Sequence, residues 1–77
     1  MQRLAVIDLG TNTFHLLIAE QHTGGYDILH RDRLAVKVGA GGINQGLITE
    51  EGAQRAIAAF RQFAAELKLW KVNRVKA

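Results

Sequence analysis

The sequence predicts an α/β fold with its elements in the order β-β-β-α-β and a mixed sheet. Three observations support this prediction. Two short apolar runs, at residues 4–7 and 14–19, flank a small polar turn, which is typical of an antiparallel hairpin. Residues 49–68 have apolar side chains at helical spacing. Residues 72–77 then resume a strand-like pattern, and a helical crossover predicts that this strand runs parallel to an earlier one.

The first three strands should form a meander over residues 4–38. The run at 4–7 is short and bounded by turn residues, so it indicates a buried strand. Residues 14–19 are apolar except for His15, which predicts a second strand covered on both faces. A turn at 22–25 leads into a third strand over 26–38, whose many charged residues indicate a sheet edge or a bend.

A glycine loop at 39–48 separates this meander from the predicted helix at 49–68. Thr49 is a suitable N-cap, and Glu50 and Glu51 lie in the first turn, where negative charge is favoured. Glu51 and Arg55 are expected to pair on the exposed face. The apolar stripe is predicted to contain Ala53, Ala56, Ile57, Phe60, Phe63, Ala64 and Leu67, with both phenylalanines in the core.

A single helix covers only one face of such a sheet. The other face would then expose apolar side chains of the first two strands. We therefore expect that the 77 residues form an incomplete fold, or one that a partner chain completes.

Size and composition limit the possible classes of protein. With 77 residues the chain forms at most one small domain. It has no cysteine, which excludes disulfides and thiolate metal sites and fits a reducing cytoplasm. No apolar run approaches the ~20 residues of a membrane span, and the apolar stretch before Asp8 is too short for a secretory signal. These observations predict a cytoplasmic protein that does not bind a membrane.

The net charge of +3 is unevenly distributed. Residues 1–30 carry one basic and three acidic side chains, whereas residues 31–77 carry nine basic and four acidic ones. A basic second half would suit a polyanionic partner. The basic residues alternate with acidic ones and form no stripe, so a solvated surface is the simpler interpretation and nucleic-acid binding is not predicted.

The turn at residues 10–13 is the strongest candidate for a functional site. It follows Asp8, a carboxylate at the end of an apolar strand. Backbone N–H groups and the hydroxyls of Thr11 and Thr13 can hold phosphate oxygens, and Gly10 permits close approach of the backbone. Asp8 can hold a metal ion or orient a water. The same residues are ordinary turn formers, so a purely structural hairpin is the alternative. A carboxylate ending a buried strand favours the functional interpretation.

Other candidates carry less weight. His15 lies among apolar neighbours and is best interpreted as a structural histidine. His22 and His30 show no metal-type spacing with it. The glycines at 39–42 do not open directly into a helix, as a dinucleotide-binding loop requires. Lys37 fits an exposed strand position.

Residues 7–19 resemble the opening motif of the exopolyphosphatase/guanosine pentaphosphate phosphatase (Ppx/GppA) family. That family belongs to the actin-like (ribonuclease H-like) superfamily, whose members commonly begin with a strand ending in Asp-x-Gly-[Thr/Ser]. The Asn-[Ser/Thr]-Phe-His continuation is typical of the phosphatases. Residues 37–39, the helix start at 46–52 and the strand at 72–77 are also similar to the family's pattern.

The resemblance implies a phosphatase that hydrolyses terminal phosphoanhydride bonds of polyphosphate or guanosine pentaphosphate. Gly10, Thr11, Asn12 and Thr13 would bind the terminal phosphate, and Asp8 would position Mg²⁺ or the attacking water. The resemblance also implies a homodimer for the full-length protein.

The family's later motifs are absent from these 77 residues. They are a Thr-Ser-Ala-x-Arg segment whose Arg contacts phosphate, a glutamate thought to be the general base, and a second glycine-rich loop. We therefore expect a partial N-terminal actin-like domain that is inactive on its own. The alternatives are a nucleotide-dependent kinase or ATPase of the same superfamily, and a non-catalytic fragment that needs a partner.

Overall fold

The computed structural model of the chain describes residues 2–37 and 49–77. Its elements are β1 (Arg3–Leu9), β2 (Thr13–His22), β3 (Gly25–Ala35), α1 (Glu50–Leu69) and β4 (Arg74–Lys76). The strand order is β3-β2-β1-β4, with β2 antiparallel to both of its neighbours and β4 parallel to β1. The predicted α/β class, element order and mixed sheet are confirmed. The predicted glycine loop at 39–48 lies outside the described residues.

β3 is an edge strand, as its charged residues indicated. It ends at Ala35, earlier than the predicted end at 38, and Val36 is buried just beyond it. A bulge interrupts the β2–β3 register at Ile18/Ala19. Leu29 lies at this irregularity and packs against the core. The bulge explains why the apolar residues of β3 do not alternate regularly.

The second strand is not covered on both faces, so that prediction is wrong. Phe14, Leu16 and Ile18 are buried beneath α1, whereas His15 is exposed and Leu17 is only half-buried on the opposite face. Alternate strand residues point to opposite faces, and the helix covers only one of them. On the other face Val6 is 36% exposed, which agrees with the expected apolar exposure there.

Helix α1 begins where the sequence predicts. Thr49 is the N-cap, and its hydroxyl accepts a hydrogen bond of 2.9 Å from the Gly52 N–H. Glu50 and Glu51 lie in the first turn, where they complement the helix dipole.

The buried side of α1 is rotated from the predicted stripe. Gly52, Ala59 and Phe63 are buried, whereas Phe60 is 43% exposed and Ile57 is 51% exposed. The assignment of Phe60 to the core is therefore wrong, although its ring centroid lies 5.1 Å from that of Phe14. Small residues at 52 and 59 allow the helix backbone to approach the sheet closely, which places the larger side chains at its flank.

Arg3 connects the beginning of the chain to the end of the helical crossover. Its Nε pairs with Glu20 at 2.9 Å, and its Nη1 donates to the Trp70 carbonyl at 2.7 Å. Its backbone N–H donates to Asn73 Oδ1, and its carbonyl accepts from the Asn73 N–H. These bonds hold the segment between α1 and β4 against β1.

In the described part of the chain, no helix combines the length and the apolar character required for a transmembrane span.

Candidate functional site

Asp8 lies near the end of β1, where its Cα is paired with that of His15. Both residues are exposed, on the sheet face that α1 does not cover. The sequence argument that Asp8 is a costly carboxylate in a buried strand is therefore wrong. Exposure leaves the carboxylate accessible to a ligand.

The turn after β1 closes on itself through Gly10. The Gly10 N–H donates to the Thr13 carbonyl at 3.1 Å, so this donor is already used within the turn. Thr11 and Asn12 are exposed at its tip, and Thr13 is half-buried at the start of β2. The N–H groups of Thr11 and Asn12 form no hydrogen bond within residues 2–37 and 49–77. These two N–H groups, rather than that of Gly10, are the donors that the turn offers.

Position 10 requires glycine because a side chain would clash with the backbone of the turn, and not because of the φ angle there. A Cβ atom there would lie 2.9 Å from the Thr13 carbonyl oxygen, which is backbone and cannot rotate away. We expect Gly10→Ala to destabilise the chain by about 1–3 kcal/mol, the usual range for overpacking. Urea denaturation followed by far-UV circular dichroism measures this loss.

Gly24→Ala is the matched control for that substitution. Its Cβ would meet only the His22 side chain, at 3.6 Å, which is an ordinary contact. Equal stability of the two variants would contradict the proposed clash in the 10–13 turn.

Arg55 links the helix to this turn. The Asn12 carbonyl accepts N–H bonds from Val36 at 2.8 Å and Lys37 at 3.1 Å. Arg55 in turn donates to the carbonyls of Val36 at 2.6 Å and Lys37 at 2.9 Å. Among the described residues Arg55 forms no ion pair with Glu51, so the predicted surface pair is wrong. The guanidinium instead donates to two carbonyls just after β3. Helical spacing alone could not predict this contact, because it joins the helix to a distant segment of the chain.

An open depression of about 600 Å³ lies beside Asp8. Residues of three neighbouring strands, β1, β2 and β3, line it. Its lining residues are Val6, Asp8, His15, Leu16, Leu17, Arg31, Asp32 and Arg33. His15 is exposed here and has no hydrogen-bond partner within the described residues, so it is not a buried structural histidine. Lys37 is exposed, as expected, just after β3, with a left-handed φ of 46°.

A second group of titratable side chains lies on the helix-covered side of the sheet. His30 Nε2 is 2.8 Å from Glu66 Oε1, and the His30 ring stacks on Trp70 with a centroid separation of 5.4 Å. Burial raises the pKa of Glu66, and the neighbouring Asp32 carboxylate raises it further, whereas the contact with His30 lowers it. The sequence did not indicate this group, because the bulge in β3 and the position of α1 bring it together.

Comparison with known proteins relates this geometry to a family. No family model matches the sequence. The chain is 33% identical over 63 residues to Exopolyphosphatase 1 of Mycobacterium tuberculosis, a match that covers 80% of this chain and 18% of the relative. It superposes on an exopolyphosphatase from Cytophaga hutchinsonii with a TM-score of 0.92 and 43% identity, covering 96% of this chain and 24% of the other. In sequence and fold the chain matches the N-terminal part of Ppx/GppA family members.

A Ppx/GppA phosphatase from Aquifex aeolicus gives the same TM-score of 0.92, at 25% identity, over all of this chain and 26% of that protein. The actin-like fold implied by residues 7–19 is thereby confirmed for the described elements. The chain spans about a fifth of the curated Ppx/GppA relatives, at 18% of their length.

Proposed function

We propose that this chain provides the first phosphate-binding loop of a Ppx/GppA phosphohydrolase, in which Asp8 and residues 10–13 contact the terminal phosphoryl group. The turn itself is the main support for this proposal. It places Thr11 and Asn12, two exposed residues whose N–H groups form no hydrogen bond within residues 2–37 and 49–77, beside the exposed Asp8 at the junction of β1 and β2. Such backbone donors suit phosphate oxygens.

The proposed reaction is attack of water on a terminal phosphoryl group, which breaks its anhydride bond. The N–H groups of Thr11 and Asn12 and the hydroxyls of Thr11 and Thr13 would stabilise charge on the phosphoryl oxygens. Gly10 would serve by closing the turn. The Asp8 carboxylate would orient the water by accepting a hydrogen bond from its O–H group.

Mg²⁺ fits the residues present. It is commonly bound through one or two carboxylates together with substrate phosphates, and Asp8 is a single accessible carboxylate next to the turn. When bound, Mg²⁺ would polarise the phosphoryl oxygens and neutralise charge. Asp8 is the residue of this chain that would hold it.

The substrate is proposed to be inorganic polyphosphate or guanosine pentaphosphate. The names of the relatives in Mycobacterium tuberculosis and Cytophaga hutchinsonii support the polyphosphate branch. The kinase or ATPase alternative is not favoured, because the matches are to phosphatases. A homodimer of the full-length protein and a cytoplasmic location remain predictions.

A chimera tests the proposal. The N-terminal segment of the Cytophaga hutchinsonii exopolyphosphatase that superposes on this chain would be replaced by residues 1–77. Because the folds agree with a TM-score of 0.92, we expect the chimera to release phosphate from polyphosphate. Two controls should be inactive. They are the isolated 77-residue chain and the Cytophaga hutchinsonii exopolyphosphatase without its own N-terminal segment. A folded chimera without hydrolase activity would contradict the proposal.

A further inference from the structure

Three side chains with metal-binding atoms meet between β3 and α1. His30, Asp32 and Glu66 each present one such atom, and these atoms all lie within 4.8 Å of one another. His30 and Glu66 are separated by 36 residues in sequence and are brought to 2.8 Å by the packing of α1 on the sheet. The side chains of His30 and Glu66 are 29% and 18% exposed, so the group is shielded but has access to solvent.

One oxygen of this group lacks a partner. Glu66 Oε2 is buried and accepts no hydrogen bond from the described residues. The Asp32 oxygens already accept bonds from Gln62 Nε2 at 3.0 Å and from the Arg33 N–H at 2.8 Å. A buried carboxylate oxygen beside a second carboxylate is unfavourable unless a proton or a cation lies between them.

We propose that His30, Asp32 and Glu66 form a binding site for a divalent transition-metal ion such as Zn²⁺. One imidazole nitrogen and two carboxylate oxygens supply three protein ligands, and water completes a tetrahedral site. The imidazole favours Zn²⁺ or Co²⁺ over Mg²⁺, which prefers oxygen ligands. Tetrahedral ligands at ~2.1 Å lie about 3.4 Å apart, so the present spacing of up to 4.8 Å requires only a small movement of these half-buried side chains.

This site is separate from the Asp8 turn. Leu16 pairs with Asp32 and points to the helix side, whereas His15 pairs with Asp8 and points to the uncovered side. The bound ion would connect β3 to α1 directly. It would therefore stabilise the packing of the helix on an edge strand, and this inference does not depend on the proposed phosphatase activity.

The chain contains an internal reporter for this site. Trp70 is its only tryptophan, and its indole ring stacks on the His30 ring. Titration of the full 77-residue chain with Co²⁺ should quench Trp70 fluorescence in a saturable manner and produce the visible absorption of a tetrahedral Co²⁺ site. Isothermal titration calorimetry with Zn²⁺ should give one ion per chain.

Substitutions at the proposed ligands, with His22→Gln as a control, identify the residues that bind the ion. His30→Gln and Asp32→Asn should each weaken Co²⁺ binding at least about tenfold. His22→Gln should leave it unchanged, since the His22 ring interacts with Asp27 and with the Gly24 N–H at the far end of the hairpin, away from His30. Circular dichroism verifies that each variant is folded. If His30→Gln unfolds, Asp32→Asn still tests the site, since Asp32 is only half-buried. Absence of saturable binding, or binding retained in both His30→Gln and Asp32→Asn, would overturn the proposal.

Discussion

Asp8→Asn in the chimera is expected to lower kcat for polyphosphate hydrolysis by about 10²–10³-fold, the range found when one positioned group that stabilises the transition state is removed. The amide has nearly the same shape as the carboxylate, so the β1 pairing with His15 should persist. What is lost is the negative charge that would orient water or hold Mg²⁺. Because Asp8 is exposed, the substitution should change stability little, and activity and folding can be separated.

Asp27→Asn is the control for this measurement. Asp27 is also an exposed strand aspartate, but it pairs with His22 at the opposite end of the sheet. Along the strand direction Asp27 lies five residues from Asp8, roughly 17 Å, because their partners on β2 are Glu20 and His15. Phosphate release measured against polyphosphate concentration should show a large decrease in kcat for Asp8→Asn and none for Asp27→Asn. Equal rates for the two variants would remove Asp8 from the mechanism.

Phe63→Ala is expected to remove most of the stability of the chain. Phe63 is 1% exposed and is one of the largest fully buried side chains in the described core. Removing such a ring costs about 3–5 kcal/mol through lost burial and the cavity that remains. Small domains have total stabilities of about 5–15 kcal/mol, and a chain of this length lies at the lower end of that range. The midpoint of urea unfolding, followed by far-UV circular dichroism, gives the loss directly.

Phe60→Ala provides a comparison on the same helix. Phe60 is 43% exposed, and its ring packs against the ring of Phe14. We expect a smaller loss than for Phe63→Ala, about 0.5–1.5 kcal/mol for the aromatic pair and roughly half of the burial term of a phenylalanine in addition. If the two variants lost the same stability, the rotation of α1 seen in the structure would be wrong and the sequence-based stripe correct.

The sequence predicts the elements well because their signals are local. Thr49 caps the helix by accepting a hydrogen bond from Gly52, only three residues later in the sequence. The turn at 10–13 is bounded by apolar runs on both sides. The order of strands then follows from short connections and one crossover. The family motif extends this prediction to the position of the Asp8 turn.

What the sequence could not predict depends on contacts between distant elements. The helix contains many alanines, so its periodicity fits several rotations, and only packing on the sheet selects Ala59 over Ile57. The bonds of Arg55 to Val36 and Lys37 require the end of β3 to lie beside the first turns of α1. The meeting of His30 with Glu66 depends on the same packing.

The bonds of Arg3 also have a consequence for synthesis on the ribosome. β1 emerges first, yet its contacts with Trp70 and Asn73, and its pairing with β4, involve residues made about 70 positions later. Until then one edge of β1 keeps unpaired backbone groups, while the hairpin with β2 can already form. Such an edge is open to pairing with another nascent chain. Between translation of β1 and of β4, this edge of β1 is therefore exposed to misassembly.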